Sequence, residues 1–357
     1  MTSNICENML IQELTKRFDR SPDQRNAVHE TDAEIITISD SCTIAMTTDS
    51  IAEEISTGLY RDPYLAGWMA VMVNMSDLAA VGARQMGIVM SEVLPRNYSE
   101  NDREELQRGI AEACRKCETF VLGGDTNVGD QLLLSGTALG TCPGGRFLSR
   151  KGTQPGDFLF CTGTLGIGNA FAAQALLGQD ANPSNRINYL PSARLHESRT
   201  LLEYASACMD SSDGVLATLD QMMRLNGAGF DLRSDWESAL DQQSKEFALS
   251  AGIPPWLLLA GEHGEFELLF TVPQSRVREM YDQAENDDWQ PMFLGRVRSK
   301  PAISFMLYGE NTLVDTGMIR NIASTTDGNI REYLDNLLKV DSAIRKGALH
   351  HGNDGSV

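Results

Sequence analysis

Asn74-Met75-Ser76-Asp77-Leu78-Ala79-Ala80-Val81-Gly82-Ala83 closes an almost uninterrupted apolar run that begins at Tyr64. The carboxylate in its middle is what has to be explained. Taking a charge out of water is costly unless a cation or several donors meet it, so Asp77 asks for a partner. The segment Pro63 to Gly82 reads as a helix: Pro63 suits the first turn, small residues allow close packing, and Gly82 can act as the stop. Its apolar stretch of roughly ten residues is shorter than the ~20 needed to span a bilayer, so the helix belongs in a protein core.

Working outward, residues up to about Asn26 fit an amphipathic helix. Glu34-Ile35-Ile36-Thr37-Ile38 and Thr43-Ile44-Ala45-Met46-Thr47 are β-branched strands that run into Asp40 and Asp49. Gln85 to Leu94 reads as a third strand, Ser99 to Glu118 as a surface helix, Thr119 to Leu122 as a fourth strand leading into Gly123-Gly124-Asp125, and Leu132 to Thr141 as a fifth. Strand pairs followed by long helices describe an α+β domain over residues 1–150. Lys151-Gly152-Thr153-Gln154-Pro155-Gly156-Asp157 is turn chemistry and marks a boundary.

A second, α/β domain is expected over residues 151–325. It opens with the buried strand Phe158 to Thr162, the glycine-rich turn Gly163 to Gly168 and a helix from Ala170 to Leu177. It continues with a helix from Val215 to Asn226, whose Val215, Leu219, Met222 and Met223 form one apolar face, and with strands at Phe266 to Val272 and Pro291 to Val297. Residues 326–357 are expected to add a helix and a disordered tail from Gly347.

A chain of 357 residues is longer than one core usually grows, which favours two domains. A formal charge of −19 without a Lys/Arg cluster argues against nucleic acid and anionic membrane as partners, and requires that an anionic substrate be admitted by metal ions or a few placed arginines. The first residues carry neither a basic nor a long apolar region, so no signal peptide is expected and the cytoplasm is the expected location. Seven irregularly spaced cysteines describe no disulfide framework, and the lone Cys114-x-x-Cys117 lacks a second pair to complete a zinc site.

Chemistry concentrates in short acidic motifs: Ser39-Asp40-Ser41, Thr47-Thr48-Asp49-Ser50, the Asp77 segment, Gly123-Gly124-Asp125-Thr126 and Asp210-Ser211-Ser212-Asp213-Gly214. Magnesium takes hard oxygen ligands and keeps several waters, so a Mg-nucleotide site uses a few carboxylates from separate loops. Singly, each aspartate is equally a turn or helix-cap residue. Together they read as a dispersed site for divalent metal and phosphate. Gly123 and Gly124 let backbone N–H groups approach a phosphate, Ser212 precedes a helix N-terminus, and the fork of Arg150 suits phosphate oxygens. Gly163 to Gly168 lacks the Lys-Ser/Thr of a Walker loop, and neither a Gly-x-Ser-x-Gly elbow nor a His-Glu-x-x-His helix occurs.

These motifs, with Pro155-Gly156-Asp157, Thr162-Gly163-Thr164-Leu165-Gly166 and Glu265-Phe266-Glu267-Leu268-Leu269-Phe270, stand in an order that resembles the thiamine-monophosphate kinases of the aminoimidazole ribonucleotide synthetase superfamily, over about Ile35 to Val272. The resemblance implies a ferredoxin-like α+β N-terminal domain that pairs across a homodimer, a C-terminal α/β domain, and ATP held between them on Mg2+. It implies Asp40, Asp49, Asp77, Asp125 and Asp213 as metal ligands, with Asp77, Asp125 and Asp213 central to catalysis. It also implies Gly123, Gly124, Asp125, Thr126, Arg150 and Ser212 as nucleotide contacts. Glu262, His263 and Glu265 are the candidate contacts to a small phosphoryl acceptor.

The departures lie at the ends of the pattern. The kinases' Gly-Asp-Asp is matched by Ser39-Asp40-Ser41 with one acid, and their Gly-Gly-Glu-Asp-Tyr-Glu by Glu262-His263-Gly264-Glu265-Phe266-Glu267. The phosphate-handling motifs are therefore closer to the kinases than the acceptor region. A small-molecule kinase is the first reading. An amide-activating cyclo-ligase or dehydratase of the same superfamily, or a nucleotide-binding dimer without turnover, are the alternatives.

Overall fold

Helix α3 (Pro63–Ala80) joins the parts of the molecule. Asp62 caps it by accepting from the Tyr64 N–H at 3.0 Å, and Pro63 stands in its first turn. A helix apolar on every side has to be buried on every side, and from Leu65 to Ala80 all but Val73 and Asp77 are buried. It crosses α4 (Glu100–Lys116) through reciprocal glycines: a Cβ on Gly67 would meet the Leu106 carbonyl at 2.1 Å, and one on Gly109 the Tyr64 carbonyl at 2.1 Å. The structure, a computed structural model, describes residues 4–178, 186–326 and 329–352, with side chains up to residue 347.

Both helices cover one face of a five-stranded sheet in the order β1 (Glu34–Ser39), β2 (Cys42–Ser50), β5 (Leu133–Thr141), β3 (Arg84–Pro95), β4 (Val121–Gly129). Neighbours are antiparallel except β3 and β4, which run parallel. Gly123-Gly124-Asp125-Thr126 does not follow a strand as expected. It lies inside β4, paired with Val89 to Glu92 after a one-residue slip. Gly124 has a packing reason here, since a Cβ on it would stand 2.1 Å from the Met90 carbonyl. Residues Val121 to Val128 are all exposed on this edge strand.

The second sheet has seven strands in the order β12 (Glu310–Val314), β11 (Ile303–Leu307), β8 (Gly229–Leu232), β10 (Met292–Arg298), β6 (Phe158–Cys161), β9 (Leu268–Val272), β7 (Ala207–Asp210). Phe160 and Phe270 stack at 5.6 Å in its core. The predicted strands at Phe158, Phe266 and Pro291 and the helix at Val215 appear as β6, β9, β10 and α7 (Val215–Asn226). The last helix, α12 (Ile330–Gly352), runs through Gly347, where a tail was expected to begin; residues 353–357 lie outside the described residues. Among the described residues no helix is long and apolar enough to cross a membrane. Cys114 and Cys117 are free and buried, and burial pushes their thiols up to about 11 and about 12.

Candidate active site

Three carboxylates converge where α3 meets the second sheet. Asp32 stands two residues before β1, Asp77 one turn before the end of α3, and Asp210 at the end of β7. One oxygen from each lies within 4.8 Å of the others. The polar residues of the α3 motif divide the work of holding them. Ser76 Oγ donates to Asp210 Oδ2 at 2.6 Å, tying the two halves of the chain together. The Asp49 N–H donates to Asn74 Oδ1 at 3.1 Å, which sets the end of β2 against the helix. Thr47 Oγ1, on the same strand, donates to Asp77 Oδ2 at 2.5 Å.

Positive charge is scarce here. Arg150 donates from Nη2 to Asp32 Oδ1 at 2.8 Å, while Asp32 Oδ2 is buried without a hydrogen-bond partner. Burial raises the Asp77 carboxyl well above the usual range, and Asp49, Asp210 and Asp32 raise it further. Asp210 is pushed up to about 8, by burial first and then by Asp32. Clustered hard oxygens short of cations, with one buried oxygen unsatisfied, suit a divalent ion such as Mg2+.

The structure sorts the expected residues. Asp77 is in the cluster, and Asp49 meets it carboxyl to carboxyl. Asp40 is not there: it is exposed in the two-residue turn between Ser39 and Cys42. That turn is at the other end of β1 from Asp32, roughly 20 Å away along the strand. The acid that precedes β1 faces α3; the one that follows it faces water. Asp32, and not Asp40, is the acid of this segment that joins the cluster. From Asp210-Ser211-Ser212-Asp213, it is Asp210 that joins the cluster, with Ser212 Oγ donating to its Oδ1 at 3.3 Å. Asp125 stays on exposed β4 with Gly123, Gly124 and Thr126, and accepts from Asn127 Nδ2 at 2.6 Å. Arg150 lies at the cluster, bound to a carboxylate.

Asp213 instead opens onto a cavity of about 630 Å³ that also meets Glu262, His263, Glu53 and Glu54. Its walls keep enough water away to push the Asp213 carboxyl up to about 6, with Glu7 adding to the rise. Glu262 reaches about 8 for the same reason, Asp213 being the next contributor. The two loops meet so closely that a Cβ on Gly264 would lie 1.5 Å from the Ser211 carbonyl. His263 is buried among Phe171, Tyr189 and Tyr60, 3.4 Å from the Tyr60 hydroxyl, and burial lowers it to about 4, so it is neutral. Glu265 does not line the cavity. It is buried, and its Oε2 accepts from the Gly166 N–H at 2.9 Å.

The AIR synthase related protein, N-terminal domain family matches residues 30–142, the segment that carries Asp32, Asp49 and Asp77. A thiamine-monophosphate kinase of Methanopyrus kandleri is 31% identical over 217 residues, 60% of this chain and 68% of that protein. The chain belongs to the thiamine-monophosphate kinase family. The Aquifex aeolicus kinase is 28% identical over 251 residues, 68% of this chain and 80% of that protein. A solved structure of AaThiL complexed with AMPPCP and TMP shares the fold, with a TM-score of 0.70 and 23% identity over 88% of this chain and 99% of that one. Family membership carries the reaction class, ATP-dependent phosphoryl transfer.

Proposed function

We propose that this protein moves the γ-phosphoryl group of ATP onto the phosphate of a small monoester, thiamine monophosphate or a close relative, with Mg2+ held by Asp32, Asp77 and Asp210. The observation that carries this reading is the unsatisfied Asp32 oxygen in a cation-poor acid cluster, next to a cavity large enough for a small molecule. Relatives named for the same reaction support it. Asp49 is near enough to take part in holding the metal, and Asp213, whose charge reaches Asp210, also lines the cavity. Mg2+ neutralises charge on the phosphates and orients them when bound.

An oxygen of the acceptor phosphate forms a bond to the γ-phosphorus as the bond from that phosphorus to the β–γ bridging oxygen breaks; ADP leaves with the electron pair. Alignment and charge neutralisation supply most of the rate in such a transfer. A monoester phosphate near neutral pH already presents an ionised oxygen, so no side chain need remove a proton. The neutral, buried His263 fits that economy. Arg150, already buried beside the acids, is placed to steady phosphate charge by exchanging part of its bond to Asp32.

The exposed edge strand supports a homodimer. Phe120, Leu122 and Val128 on β4 and its approach are more than half exposed, and an uncovered edge with apolar side chains is a pairing surface. We place this enzyme in the cytoplasm, consistent with its lack of a membrane-spanning helix among the described residues.

The test is ADP release with Mg-ATP and thiamine monophosphate, with phosphorus NMR of the product. A diphosphate ester is expected. Free phosphate with a dehydrated or cyclised product would favour amide activation, and ATP binding without ADP formation would favour a binding protein.

A further inference from the structure

The lining of the cavity combines the carboxylates of Asp213 and Glu262 with an apolar part, Leu176, Ile253 and Leu258 together with Leu334 and Leu337 of α12. Asp32, Asp77 and Asp210 are not among its lining residues. Helix α12 packs on the core through Leu337 and is tied down by a buried carboxylate. Asp341 Oδ1 accepts from Trp256 Nε1 at 2.8 Å and from the Tyr308 hydroxyl, and Arg345 Nε donates to Oδ2 at 2.9 Å. Arg345 stands on α12 itself, so Trp256 and Tyr308 are the two donors that tie the helix to the rest of the chain. One turn earlier, Leu337 is 4% exposed. One turn earlier again, the Tyr333 hydroxyl is buried beside Glu262 without a partner at bonding geometry. Tyr333 and Glu262 line the same cavity. A buried hydroxyl in that position is satisfied at little cost by a ligand.

We infer that α12 is the specificity wall of the acceptor site: the apolar or aromatic body of the acceptor lies against Leu334 and Leu337, a polar group of it bonds Tyr333 Oη, and Asp341 positions the helix. This rests on the kinase reading of the cavity. Leu334 and Tyr333 contact the acceptor directly, so they govern which acceptor is used and how tightly. Asp341 touches neither substrate and acts through the placement of the wall. Because Asp32, Asp77 and Asp210 do not line this cavity, a change in the wall should leave ATP binding as it is.

The experiment compares Leu334→Trp, which fills the space beside the apolar wall, Leu334→Ala, which enlarges it, Tyr333→Phe and Asp341→Asn with the native enzyme. With thiamine monophosphate as acceptor, Leu334→Trp should raise the acceptor KM by ~10-fold or more and Tyr333→Phe by several-fold, with the KM for ATP within ~2-fold of native. Asp341→Asn keeps an oxygen for Trp256 and Tyr308 but loses the charge that strengthens both bonds, and should move the acceptor KM while leaving that for ATP. Unchanged acceptor KM values, or equal changes in both, would overturn the inference. Thioflavin T, an aromatic cation matched to the acidic and apolar lining of the cavity, gives a readout that needs no turnover. Its fluorescence should rise on the native protein and not on folded Leu334→Trp; no rise on the native protein, or the same rise on the variant, overturns the wall. Failure of the native enzyme to use thiamine monophosphate while the dye responds as expected would sink the acceptor assignment and leave the wall standing.

Discussion

The acid cluster and the cavity onto which Asp213 opens are built on opposite plans. In the cluster, every aspartate is oriented by a short polar side chain or by Arg150, and the donors come from α3, β2 and the loops after the strands. In the cavity, the apolar wall is a set of aliphatic side chains from segments remote in sequence, with α12 packed on the core and tied down at Asp341. The first arrangement tolerates no loss of an oxygen, because each serves both the fold and the charge balance. The second tolerates changes of volume. Chemistry and selectivity are thereby assigned to different physics, electrostatics in one and packing in the other.

The largest expected effect would break the electrostatic half. Asp77→Asn or Asp210→Asn should cut phosphoryl transfer by ~10²–10³-fold. Either should also remove the stabilisation by Mg-ATP, which is ~2.7 kcal/mol at a hundredfold excess over the dissociation constant. A variant that still gains melting temperature with Mg-ATP would show that the cluster does not hold the metal. The packing half is tested by Asp341→Ala, which leaves the Trp256 indole and the Tyr308 hydroxyl without their acceptor. It should cost about 3 kcal/mol in urea unfolding while the Mg-ATP stabilisation survives. Loss of both would mean that wall and cluster are one unit.

Smaller, but diagnostic, is the response to pH. In the folded protein Asp210 holds its proton up to about 8, against an ordinary value of 3.8. Between those values the native state binds a proton that the unfolded chain has released. The metal-free protein should therefore lose stability as pH rises through that window, by up to ~1.4 kcal/mol per pH unit for one such group. Mg2+ should offset the loss, more at pH 8 than at pH 6, because binding displaces the proton. Melting curves with chelator and with Mg2+ decide this; a metal-free protein that gains stability toward pH 8 would contradict the buried acid cluster. At the bottom of the scale, Asp40→Asn should change stability by no more than ~0.5 kcal/mol and leave turnover as it was. A strong loss of activity there would restore the turn aspartate as a ligand.

Much of this was legible in the chain. The Pro63 helix, the strands around it and the α7 helix appear where periodicity and stop signals put them. Asp77 stood out because a lone acid in an apolar run must be paid for by something nearby. Asp32 and Asp210 were harder to see. Asp32 sits in Thr31-Asp32-Ala33, which carries no turn or glycine signal, and Asp210 was overshadowed by Asp213 three residues on. Gly123-Gly124 misled because a glycine pair reads as a loop, and only the neighbouring Met90 carbonyl reveals a strand. The α12 wall had no local signal at all, since Leu334 and Leu337 follow the ordinary spacing of a buried helical face.

What the chain determined alone was the kind of chemistry: oxygen ligands for a hard cation, an anionic substrate admitted against a charge of −19, and a central helix with a carboxylate that had to find company. Those follow from residue type, because desolvation costs and ligand hardness belong to each side chain wherever it ends up. Which acids meet was decided only by tertiary structure. Asp32, Asp77 and Asp210 lie far apart along the chain, and a difference of one strand length separates an acid of the cluster from one in a solvated turn. Proximity within a few ångströms is a property of register and packing, and no local sequence window contains it.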